Sequence, residues 1–404
     1  MNKQSNSNDG HLLSEIYALL AKDESSCSII ELIENKSKEY NISQRQISEA
    51  IGIQRKSLQR ILEGEAQKID VLTFLKISQF LGTDLEELVQ MYVAGLPVQY
   101  IKDVEKARKA GFILRNFDLD SLKKMGLIES SVDFDHIESR ILRRFSLSSI
   151  YEYSTEVAAP LFSRTKRNFS DQMVKLWIGS AYQQFKTINN PNDFEKETLF
   201  KIIPRIRAFS RDYDNGLVQV CRALFSIGIT VIIQSYLPKI QVRGATFLVN
   251  GKPCIVLSDF NKRYDELWTT LMHELYHVMK DLDLIARMGY HTTKSEGQMV
   301  VDHVSEEKAD GFAREFLLPA DKRKYIKSFI DVPAMVEGYA EKWNIHPSII
   351  YGLHLEENND DYPKYRRMIL KTNDAIKRFL VYDLEDAPLI EVAEKLKEQV
   401  YLNS

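Results

Sequence analysis

The sequence predicts a mainly helical α+β chain with one small sheet. Three observations predict it. Apolar residues recur at helical spacing through residues 27–93 and again through 116–227. Strand-like runs are confined to residues 228–258. Directly after them, an amphipathic helix carries His273-Glu274-Leu275-Tyr276-His277. At 404 residues the chain exceeds what one core usually serves. The expected divisions are a disordered or helical arm at 1–26, a five-helix domain at 27–93 and a linker at 94–115. A helical middle region follows at 116–227, then a sheet-bearing domain at 228–355 and C-terminal helices at 356–404.

The N-terminal domain reads helix by helix. Ile29, Ile30, Leu32, Ile33 and Tyr40 give the first helix its apolar face, and Ser43 caps the second, which carries Ile47, Ala50 and Ile51. Gly52 makes a tight turn into a third helix over Gln54–Glu63, closed by Gly64. Val71 to Leu81 mark a fourth helix that ends at Gly82, and Thr83 or Asp84 caps a fifth. The second and third helices, joined by Gly52-Ile53, have the layout of a helix-turn-helix. Gln54, Arg55, Lys56, Gln59 and Arg60 form the outward positions of the third helix, where Arg can pair with guanine or phosphate and Gln with adenine. Ser43 and Gln44, at the start of the preceding helix, are placed near phosphate. From Asn41 to Lys68 there are five basic residues (Arg45, Arg55, Lys56, Arg60, Lys68) against three acidic (Glu49, Glu63, Glu65), a local +2 in a chain of net charge −3. A phosphate-facing surface suits that polarity. The bland alternative is a bundle whose positive face is only solvated.

The middle region carries no motif. Trp177, Tyr182, Phe185, Ile203 and Leu224 are its expected core, and Pro191 and Pro204 punctuate its helices. Arg140, Arg143 and Arg144, like Arg164, Lys166 and Arg167, read as solvated helix faces. Ile229–Ile233, Val242–Val249 and Cys254–Leu257 then read as strands, the last two joined by the hairpin turn Asn250-Gly251.

Leu267, Trp268, Leu271, Leu275 and Val278 frame the helix of the His pair. Residues four apart share a helix face, so His273 and His277 can hold one metal ion. Glu274 sits where a carboxylate can take a proton from water at that ion. A catalytic zinc site wants three protein ligands and an open position. Glu306 on a second helix can complete the set, and Asp310, one turn on, can accept a ring N–H from a ligating histidine. Tyr276, Tyr290, His291 and His303 are candidate oxyanion donors.

From about Gly228 to Leu355 the chain resembles the ImmA/IrrE family of metallopeptidases. The resemblance runs through Arg263-Tyr264-Asp265-Glu266-Leu267-Trp268 into the His-Glu-x-x-His helix. Its most family-specific piece is Glu306-x-x-Ala309-Asp310-x-Phe312-Ala313 with the ending Leu317-Leu318-Pro319. It implies a zincin-like domain with a bound zinc ion (Zn2+) and endopeptidase activity on helix-turn-helix repressors, in stress or mobile-element responses. Position 308 is Lys where the family often has an acidic or amide residue, which leaves Glu306 and Glu307 as acidic candidates before Ala309. The spacing to Asp310 favours Glu306. Residues 42–53, 57–64 and 75–82 resemble the Xre (Cro-repressor-type) helix-turn-helix family, which implies operator DNA as a partner, bound as a homodimer. The rival expectation is a non-catalytic repressor or antitoxin-like regulator that uses the peptidase fold as a sensor. Glu274 argues against it, since a sensory site needs no base there.

Composition adds limits. Hydrophobic content of 44% and charged content of 27% are ordinary for a soluble protein. No apolar run reaches the roughly 18 residues of a membrane span. Met1–Gly10 has no apolar segment of a secretory signal. Cys27, Cys221 and Cys254 lie far apart without pairing or zinc-ligand spacing, which suits a reducing, cytoplasmic setting.

Overall fold

Caps and apolar stripes decide where the first helices begin and end. The computed structural model describes residues 29–63, 69–94, 98–158, 172–237, 239–294, 306–372, 374–379 and 387–402. Cys27, Gly64, Arg164, Lys166, Arg167 and His303 lie outside them. The chain divides into two units, Met1–Arg108 and Lys109–Ser404.

In the first unit, α1 (Ile29–Tyr40), α2 (Gln44–Ile51), α3 (Arg55–Leu62), α4 (Val71–Leu81) and α5 (Leu85–Ala94) follow one another. They close on a core that includes Ile33, Ile47, Ile51, Leu58, Ile77 and Leu88. Ser43 and Gln46 form a reciprocal capping box at the start of α2. Asp70 caps α4 by accepting the Thr73 N–H. Gly52 and Gly82 end α2 and α4 in the left-handed region, at φ of 71° and 69°, where a side chain would be strained. Residues expected as linker are largely helical: α6 runs unbroken over Val98–Asn116.

The second unit takes in the end of α6 from Lys109 and continues with α7 (Leu119–Lys124), α8 (Phe134–Phe145), a π-helical turn at Tyr153–Ala158, α9 (Gln172–Ile188), α10 (Lys196–Phe209) and α11 (Gly216–Phe225). Trp177, Tyr182, Phe185, Ile203 and Leu224 are buried here. Two expectations need correction. Pro204 does not end a helix but sits inside α10. Nor are Arg140 and Arg144 merely solvated, since they donate to the Leu127 and Ala387 carbonyls at 2.8 Å each.

The sheet contains β1 (Thr230–Gln234), β2 (Val242–Val249), β3 (Lys252–Ser258) and β4 (Tyr290–Lys294), in the order β1-β3-β2-β4. β1 lies parallel to β3, whereas β2 is antiparallel to both β3 and β4. Asn250 and Gly251, both at positive φ, turn β2 into β3. Strand alternation splits β2 between two layers. Phe247 packs its ring edge on Phe185 of α9, with centroids 5.5 Å apart. Gly244 and Thr246 face the opposite way, onto α12 (Tyr264–Lys280), the helix of the His pair. Then follow α13 (Leu282–Met288), α14 (Glu306–Leu317), α15 (Ala320–Lys327), α16 (Pro333–Trp343), α17 (Pro347–Glu357) and α18 (Leu389–Leu396). Among the described residues no helix is long and apolar enough to cross a membrane.

Candidate functional site

Buried residues occur almost all round α12, which therefore sits deep between the sheet and its neighbouring helices. His273 and His277 project from adjacent turns with their Nε2 atoms 2.9 Å apart. The Nδ1 of His273 meets Asp310 Oδ1 at 2.8 Å, and the Nδ1 of His277 meets Asp281 Oδ2 at 2.8 Å. An ionised carboxylate only accepts, so in each ring the Nδ1 carries the proton. Both Nε2 lone pairs then point at one spot.

Glu306, the first residue of α14, aims at the same spot. Its Oε2 is 3.4 Å from His273 Nε2 and its Oε1 3.4 Å from His277 Nε2. Glu307, the next residue, is exposed. The ligand atoms of His273, His277 and Glu306 lie within 4.8 Å of one another. Atoms each about 2.0–2.2 Å from one tetrahedral zinc stand roughly 3.3 Å apart, so the separations fit such an ion. The donor set fits for a second reason. Two buried lone pairs and a carboxylate converge with nothing positive between them, and a cation or a proton must balance them.

Protons take that part when no cation does. Burial opposes charging His273, but hydrogen bonds to Asp310 and Glu306 and the charge of Glu274 prevail, and push its pKa from 6.5 to about 10. Burial likewise opposes charging His277, and Glu306 and Glu274 overcome it to raise that pKa too. Burial would raise Glu306, yet His273, His277 and His291 hold it well below the usual carboxylate range. The sign follows. A raised histidine pKa stabilises the fold fully below about 6.5, and that contribution is lost as pH rises through about 10. Metal-free protein should therefore lose melting temperature between these limits, while zinc-loaded protein, its protons displaced, should lose less. Thermal melts with chelator and with zinc at both ends of the window check this.

Glu274 is 0% exposed. Thr246 on β2 donates its hydroxyl to Glu274 Oε2 at 2.7 Å, and Thr293 on β4 donates to Oε1 at 2.7 Å. Gly244 makes room for this carboxylate. A Cβ there would lie 2.5 Å from Glu274 Oε1 and 2.8 Å from Thr270 Cγ2, so the glycine marks a close approach. Gly244→Ala should displace the Glu274 carboxylate and cost about 1–3 kcal/mol of stability by overpacking. Any peptidase activity should fall while zinc content stays, which urea unfolding and metal analysis can read.

Tyr276 is half-buried, its ring 5.5 Å from Phe312 and 5.8 Å from His277. Tyr290 pairs in register with Phe247 and so shares the sheet face turned away from α12, which removes it as an oxyanion donor. His291 pairs with Thr246 and faces the site. Asp281, Thr246 and Thr293 were not among the residues expected to serve the site. Only Asp281 had a readable signal, a carboxylate four residues after a candidate ligand.

In the first unit, Gln54, Arg55, Lys56, Gln59 and Arg60 are all exposed, whereas Leu58 and Ile61 of α3 are buried. α3 thus presents its polar side outward, as the sequence pattern required. Ser43 is occupied in its capping box and Gln44 is exposed. Gln59 donates to Glu63 at 2.9 Å across an exposed turn, a contact that a base could replace.

Residues 34–88 match the family model described as helix-turn-helix. The match begins within α1, ends within α5 and includes both α2 and α3. No curated protein and no solved structure matches the chain. The N-terminal unit therefore carries a helix-turn-helix domain, which supports DNA binding, and the His273, His277 and Glu306 group belongs to the second unit.

Proposed function

We propose that the chain is a DNA-binding regulator fused to a zinc-dependent endopeptidase, and that it cleaves a repressor or another regulatory protein. One observation carries this reading. His273, His277 and Glu306 converge, with each histidine Nδ1 held by a carboxylate, and a glutamate stands next to the first ligand. His273, His277 and Glu306 would hold a zinc ion, which would supply a Lewis acid able to polarise a peptide carbonyl and acidify water. Asp310 and Asp281 fix the tautomer and direction of the two rings. Glu274 takes the proton of the attacking water and passes it to the leaving amine. Each Glu274 oxygen keeps a second lone pair beside the one its threonine occupies, and that lone pair takes the proton. The test is incubation of the full chain with candidate helix-turn-helix proteins from the same genome, in zinc or in chelator. Cleavage that chelator stops supports the reading, and intact substrates throughout count against it.

A second reading, a non-catalytic regulator that senses metal, is favoured by the complete burial of Glu274 and the occupation of both its oxygens. It requires that zinc change DNA affinity with no proteolysis.

The DNA arm has its own expectation. Arg55→Ala combined with Arg60→Ala should abolish gel-shift retention of DNA at moderate salt and leave zinc content unchanged. Each lost phosphate contact should flatten the salt dependence by about 0.9 in the log–log slope. Full, sequence-selective retention by the double variant would mean that α3 does not read DNA.

A further inference from the structure

His291 extends from β4 over α12 and is 1% exposed. Its ring stands edge-on to His277, with centroids 4.5 Å apart. Its Nε2 lies 2.7 Å from Glu306 Oε1. It is nevertheless not part of the three-residue ligand group, which consists of His273, His277 and Glu306.

Glu306 has two oxygens to offer, and a carboxylate can hold an ion with one or with both. What holds the second oxygen decides which. Glu306 Oε1 and both ring nitrogens of His291 are buried and make no aligned hydrogen bond among the described residues. Leaving a buried polar atom unpaired costs about 1–3 kcal/mol. Nε2 and Oε1 are each other's nearest remedy, already within hydrogen-bond distance and short only of alignment. A carboxylate oxygen accepts, so the proton belongs on His291 Nε2.

We propose that His291 is a positioning residue for the third ligand. Its Nε2–H holds Glu306 Oε1, so that Oε2 alone would be offered to an ion. This inference rests on the metal-centre reading but not on peptidase activity. Ligating carboxylates elsewhere depend on such outer partners, whose loss costs roughly 10–100-fold in metal affinity.

Three variants of the full chain test it: His291→Gln, His291→Asn and His291→Leu. A Gln side chain can put an N–H where Nε2 stands, whereas Asn is polar but falls short and Leu offers no donor. The readouts are zinc affinity by chelator competition and the visible absorption of cobalt-substituted protein, with metal-free melts as a control for folding. His291→Gln should bind zinc within about threefold of wild type and keep the cobalt spectrum. The Asn and Leu variants should bind roughly 10–100-fold more weakly, with a fainter spectrum as Glu306 takes the ion with both oxygens. If Asn and Leu match wild type, or if Gln is as weak as they are, the proposal fails. The second result would instead make His291 a direct ligand. Should one apolar or shortened variant unfold without metal, the contrast between Gln and the other still decides. Wild-type protein that takes up no metal overturns the underlying metal reading, a separate failure seen before any variant is made.

Discussion

Replacing Glu274 with glutamine is expected to cut the proposed proteolysis by about a hundredfold or more and to leave zinc uptake at the wild-type level. Glutamine has nearly the size of glutamate, so the packing of a 0% exposed side chain survives. The Thr246 and Thr293 hydroxyls can each donate or accept, and one of them turns to accept from the new amide. What disappears is a group able to take a proton. General acid–base contributions are worth about 10²–10⁴ in rate, so cleavage should fall by at least the lower figure. The measurement is single-turnover cleavage of a helix-turn-helix substrate, with zinc content read on the same sample. Undiminished cleavage would remove Glu274 as the base.

His277→Ala should have the largest effect on metal. It deletes one of the three proposed ligands and leaves the Asp281 carboxylate, at only 16% exposure, without its ring partner. Most of the zinc should be lost. Asp281→Asn should act in the same direction but more weakly, since the amide oxygen still accepts the Nδ1–H while the charge is gone. Its loss should sit near the lower end of the roughly 10–100-fold range for outer partners. Chelator competition ranks the two. Equal affinities for the two variants would contradict the assignment of His277 as ligand and Asp281 as its partner.

Local rules carry most of what the sequence reveals about this molecule. The second helix announces itself through Ser43 and Gln46 at its start and Gly52 at its end. Helical spacing was enough to bring His273 and His277 to one point and to direct Asp310, one turn beyond Glu306, at the first of them. Nonlocal pairing hid the rest. β4 is five residues, Tyr-His-Thr-Thr-Lys, with no aliphatic side chain, and it becomes a strand only by pairing with β2, more than forty residues earlier. His291 and Thr293 reach the site through that pairing, so their roles could not be read from their neighbours. The parallel pairing of β1 with β3 is hidden for the same reason. Pro204 looked like a helix end because proline removes one backbone donor, but burial of Leu199, Ile203 and Ile206 on one side holds α10 together through it. Asp281 was within reach of the four-residue rule, yet it lies just past the last turn of α12, where a helix boundary is hardest to set.

Metal analysis of the purified full chain bears most directly on whether His273, His277 and Glu306 form a metal centre. Wild-type and Glu274→Gln protein should each hold about one zinc per chain after zinc addition and desalting, and His277→Ala should hold little. Wild-type protein that retains no transition metal under these conditions, or His277→Ala protein that retains as much as wild type, would contradict it.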